Sequence, residues 1–87
     1  MKKATRETAT DAYQTRRREI EAMIAMLQAD LKAHAKCAAA DERNWGFPGD
    51  LELVRTNLKQ TMVFLRGAHD EELEGNLIDR EVAARIA

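Results

Sequence analysis

Residues Trp45-Gly46-Phe47-Pro48-Gly49-Asp50 gather the only tryptophan, the only proline and two of the four glycines of an 87-residue chain. They stand between two long segments of helical periodicity, so the chain has one place to turn and two helices to join there. Gly and Pro favour turn conformations that other residues resist, and the pattern predicts a helical hairpin.

From about residue 11 to residue 40 the apolar positions follow two interleaved series of seven. Tyr13, Ile20, Leu27 and His34 form one, and Ile24, Leu31 and Ala38 form the other. Steps of three and four residues place them on one helix stripe, and the stripe approximates a coiled-coil seam that Arg17 interrupts and His34 weakens. Thr8, Thr10 or Asp11 is suited to cap its start. After a turn over residues 41–50, Asp50 reads as the N-cap of a second helix over about 51–66, with the stripe Leu51, Val54, Leu58, Met62 and Leu65 and a stop at Arg66-Gly67. Leu73, Leu77, Ile78, Val82 and Ile86 predict a third helix over about 70–86, weakened by Gly75 and Asn76. The expected fold is all-α: a long antiparallel hairpin with a shorter third helix, forming one helical domain.

At 1.5 Å per residue the first helix spans roughly 45 Å and the other two roughly 24 Å each. Helices two and three laid end to end therefore match helix one. Charge points to the same layout. Residues 1–18 hold six basic residues (Lys2, Lys3, Arg6, Arg16, Arg17, Arg18) against Glu7 and Asp11, whereas residues 68–87 hold six acidic residues against Arg80 and Arg85. This arrangement predicts that the acidic run Asp70–Glu74 lies beside Arg16, Arg17 and Arg18, although exposed ion pairs contribute only about 0–1 kcal/mol each.

A chain of this size buries only about 60% of its unfolded surface, so its stability is marginal unless helices pack well or chains associate. Met23 and Met26 flank the stripe of helix one, and Leu53 and Phe64 lie on the far side of helix two from its own stripe. A two-helix layer cannot bury both groups, and exposed apolar patches mark interfaces. A homodimer that pairs two hairpins into a helical bundle is the simplest use of them. Trp45 and Phe47 are further interface candidates, although such aromatics more commonly fold back and close a hairpin.

Other chemistries find weaker support. With 14 basic and 15 acidic residues, net charge gives little general attraction to nucleic acid or anionic membrane. The Arg16-Arg17-Arg18 triplet supports an alternative role as a nucleic-acid-binding accessory factor, but no helix-turn-helix, zinc-finger or RNA-binding pattern accompanies it. His34 and Cys37 share a helix face, yet a structural zinc site wants four protein ligands, so neither metal nor cofactor is expected. Asp41-Glu42 and Glu71-Glu72 are adjacent pairs that diverge on a helix, and an enzyme is the least expected class. The single cysteine rules out an internal disulfide, and no apolar run suffices for a membrane span. A cytoplasmic location is the default.

The segment Asn44-Trp45-Gly46-Phe47-Pro48-Gly49-Asp50-Leu51, followed by Val54, Asn57, Leu58 and Phe64-Leu65, resembles a pattern of short uncharacterised helical proteins of proteobacterial plasmids and phages. In that pattern Trp-Gly, two variable residues and Gly-Asp-Leu precede a helix ending in Phe-Leu. The resemblance covers about a quarter of the chain. It implies an accessory protein of a mobile element and brings no catalytic residues. The expected function is a non-enzymatic protein–protein interaction module that docks onto itself or onto a host or element-encoded protein, an inhibitor of a host system being one example.

Overall fold

The computed structural model describes residues 8–87; Lys2, Lys3, Arg6 and Glu7, which contribute to the charge of the N-terminal stretch, lie outside them. Among the described residues there are three helices and no strand: α1 (Ala9–Ala40), α2 (Gly46–Arg66) and α3 (Glu71–Ile86). None is long and apolar enough to cross a membrane. Contacts divide the chain into two compact units, one ending at Arg43 and the other comprising Asn44–Ala87.

The first unit is α1. Of the three candidate caps, Thr8 takes the role: its hydroxyl accepts the Asp11 N–H at 3.0 Å, and the Asp11 carboxylate accepts the Thr8 N–H at 3.4 Å. This reciprocal pair satisfies two amide donors that a helix start leaves without partners. Thirty-two residues follow without a break, and none of them is buried. Leu27, His34 and Ala38 are half-buried, while Tyr13, Ile20, Met23, Ile24 and Met26 are each more than half exposed.

In the second unit α2 begins five residues earlier than the sequence pattern suggests. Asp50 is not the N-cap; it lies inside the helix, and the turn is confined to the residues just before Gly46. Two features account for the shift. Pro48 is the third helical residue, where its missing N–H would have no intrahelical partner anyway and its fixed φ suits the helix. Trp45 is the N-cap and makes no side-chain capping bond, while Asn44 just before it accepts the Gly46 N–H at 2.8 Å in an Asx-type turn. The first i to i−4 bond, from the Gly49 N–H to the Trp45 carbonyl, follows at 3.2 Å. Gly46 and Gly49 are thus helical residues, and Gly67 is the glycine with positive φ, at +65°, where it ends α2 by donating to the Phe64 carbonyl at 3.0 Å.

Asp70 starts α3 by accepting the Leu73 N–H at 3.0 Å, and Glu71, Glu72 and Glu74 place negative charge at the positive end of the helix dipole. The end-to-end layout of helices two and three is corrected here: α3 packs on α2 instead of prolonging it. Val63 and Ile78, at 8% and 2% exposure, form the small core of this packing. Gly75 is buried beside the Lys59 stem, whose Cε would lie 3.8 Å from a Cβ built there. Around them Arg55 and Lys59 bind Asp79 at 2.8 and 3.1 Å, and Arg66 binds Glu74 at 2.7 Å with Glu81 at 3.9 Å. The acidic face of α3 thus finds basic partners on α2.

Candidate functional site

The residues singled out by the sequence fall into three groups. On α1, Met23 and Met26 are 63% and 64% exposed and, with Leu27 and Asp30, line a shallow depression. Their spacing of three residues puts both thioethers on neighbouring lines of one helix face. Thioether side chains are flexible and polarizable, which suits them to irregular partner surfaces.

On α2, Phe64 is 85% exposed, and Leu53 is also well exposed. Phe64 precedes the helix end by two residues, and its ring lines the edge of a groove of about 470 Å³ between α2 and α3, with Lys59, Val63, Glu72 and Asn76 among the other walls. The neighbouring Leu65 is as exposed as Phe64, although the sequence places it on the apolar stripe of α2. α2 meets α3 with Arg55, Lys59, Met62, Val63 and Arg66, so of the Leu58–Met62–Leu65 line Met62 takes part. This apolar surface was visible in the sequence, but not which part of it would stay open.

Trp45 and Phe47 separate. Trp45 is 84% exposed, whereas Phe47 is half-buried. The reason is the early start of α2: Trp45 becomes its N-terminal boundary residue and Phe47 its second helical residue, about 200° apart around the axis at 100° per residue.

The arginine triplet stays close to its own helix. Arg16 donates to the Ala12 carbonyl at 3.1 Å, and Arg17 pairs with Glu21 four residues on at 3.3 Å. Arg18 is exposed. Of the acidic run Asp70–Glu74, Glu74 binds Arg66 within the second unit; Asp79, beyond that run, binds Arg55 and Lys59.

Two carboxyl groups titrate away from their usual range. Hydrogen bonds from Arg55 and then Lys59 hold Asp79 below the ordinary aspartate value, and a hydrogen bond from Arg85 does the same for Glu81. Both shifts favour the charged form. They move these groups away from the near-neutral pKa that serves an acid–base catalyst, and toward a role as fixed anions in ion pairs. His34 is half-buried and Cys37 exposed on α1. Among the described residues no three His, Cys, Asp or Glu side chains gather where they could hold a metal ion.

These surfaces are able to bind through apolar contact and positioned charge. In comparisons with protein-family models, curated proteins and solved structures, the chain matches none of them.

Proposed function

We propose that this chain is a non-enzymatic helical interaction module that works as a homodimer. The observation that carries this reading is the imbalance of apolar surface. Among the described residues Val63 and Ile78 are the buried large apolar ones, while Ile20, Ile24, Met23, Met26, Leu65 and Phe64 stand open. Propensity alone seldom maintains a long helix, and most helical stability comes from packing an apolar face. Each Leu or Phe buried in a partner contributes about 1.5–3 kcal/mol before the costs of association. In the proposed assembly two chains pair through these faces as a helical bundle.

The Trp-Gly-x-x-Gly-Asp-Leu pattern supports placing the module among cytoplasmic accessory proteins of mobile elements. Inhibition of a host system by occlusion suits a small protein whose chemistry consists of surfaces. The nucleic-acid reading has less support, because Arg17 is paired with Glu21 within α1 and no nucleic-acid-binding motif accompanies the triplet.

Light scattering over a concentration series tests the central claim. The expected result is a dimer mass that Phe64→Asp or Met26→Asp lowers to that of the monomer while helicity by circular dichroism is largely kept. A monomer at every concentration, together with loss of co-purifying material on nuclease treatment, would overturn the reading in favour of nucleic acid.

A further inference from the structure

We infer that α1 pairs with α1 of a second copy in antiparallel orientation, with a two-fold axis at Met23 and Arg16 of each chain facing Asp30 of the other. This inference rests on the dimer reading and specifies its geometry.

The argument starts from a line along α1. Arg16, Met23 and Asp30 recur every seven residues and are all exposed. A straight helix drifts by only about 20° per seven residues, so the three lie nearly on one line. Arg16 and Asp30 therefore stand about 10.5 Å to either side of Met23. Ile20 and Leu27 interleave with them in steps of four and three, giving an apolar strip with one cation at one end and one anion at the other. Met23, Met26, Leu27 and Asp30 already line a depression there.

A second copy can cover this strip in two directions. Parallel and in register, Arg16 meets Arg16 and Asp30 meets Asp30, which repel. Antiparallel about Met23, each Arg16 meets the partner's Asp30, and both pairs form at once because the interface is isologous. The Ala12 carbonyl takes one hydrogen-bond donor of Arg16, and a guanidinium has five, so donors remain for a carboxylate. Antiparallel pairing also keeps the Arg16-Arg17-Arg18 clusters of the two chains on opposite sides of the two-fold axis, about 18 Å apart along the helix direction. Met23 meets Met23 on the axis, where a flexible thioether packs against its own copy without a demanding shape. Ile24 and Leu31, on the adjoining side of α1, remain available for contacts within the chain.

The native cysteine gives a direct readout. Cys37 lies fourteen residues beyond Met23, so the antiparallel dimer holds the two Cys37 thiols roughly 42 Å apart, whereas a parallel dimer brings them side by side. Single-cysteine chains carrying Arg16→Cys or Asp30→Cys in a Cys37→Ala background complete the set. Mixed and mildly oxidised with copper phenanthroline, the two chains are expected to form the mixed disulfide, while the native chain forms none through Cys37. Self-disulfides of the Arg16→Cys chain, or a Cys37 disulfide in the native dimer, would overturn the orientation while light scattering still reports a dimer. A native chain that scatters as a monomer would overturn the dimer reading itself. As a charge control, Arg16→Asp is expected to weaken dimerisation about three- to tenfold, and adding Asp30→Arg to restore it. Equal affinities for all three chains would remove the cross-pairing.

Discussion

Gly67 and Gly75 sit eight residues apart and respond oppositely to the same substitution. Gly67 holds φ at +65° to end α2, a conformation that costs an L-residue roughly 1–2 kcal/mol. Gly75 is a buried helical residue whose added Cβ would make ordinary contact with the Lys59 side chain. Gly67→Ala is therefore expected to lower the urea midpoint by an amount equivalent to about 1 kcal/mol. Gly75→Ala is expected to raise it by up to about 1 kcal/mol through helix propensity, and a fall for Gly75→Ala would show that the α2–α3 contact needs the missing methyl. At the other end of α2, Asn44→Ala is expected to cost about 1 kcal/mol, since the Gly46 N–H loses its acceptor. The capping role was only half legible in the sequence. Asn44 and Asp50 both have the chemistry of a cap and bracket the same Gly-Pro segment. Neither became the N-cap: Pro48 is tolerated in a first helical turn, so the helix extends back through it to Trp45, with Asn44 bonding the Gly46 N–H from just outside.

At the scale of elements, α2 and α3 are joined by a thin core and a ring of charge. Ile78→Ala should cost about 2–4 kcal/mol and, with Val63 the other buried apolar residue, should release α3 from α2. Hydrogen exchange is expected to show α3 amides losing protection before those of α1. The charge ring adds a pH dependence whose sign follows from the depressed carboxyls. Asp79 and Glu81 have folded values below their unfolded ones, so their stabilisation is fully present above the unfolded values near pH 4 and is lost as pH falls through the folded ones. Stability of the second unit should thus be nearly flat from pH 8 to about pH 5 with respect to these groups and decline below about pH 4. Asp79→Asn should lower the plateau and flatten part of the acid limb. An acid limb identical to that of the native chain would show that Asp79 contributes nothing to it. The acidic character of α3 was plain in the sequence, as was a matching set of cations. The partner was not, because net charge over segments cannot say which cations lie within side-chain reach. A four-residue connection through Gly67 put Arg55, Lys59 and Arg66 there first.

At the scale of the molecule, the open apolar surface makes stability a function of concentration. If copies cover one another, the thermal midpoint should rise with protein concentration, as mass action requires when the folded state associates, and Phe64→Asp should weaken that rise. A midpoint independent of concentration would count against self-association. The sequence by itself determined that this chain forms helices, broke them at the segment before α2 and at Gly67, and gathered most of its apolar residues on stripes. These properties follow from local periodicity, propensity and turn chemistry, which act over a few residues. Tertiary structure decided what each stripe faces. α3 rests on Lys59, Met62 and Val63 of α2 and leaves Leu65 open. Asp79 and Glu74 are bound by α2, and the stripe of α1 stays largely open. Choices of this kind depend on which side chains a short connection brings within a few ångströms, and no count of charges or apolar residues along the chain contains that distance.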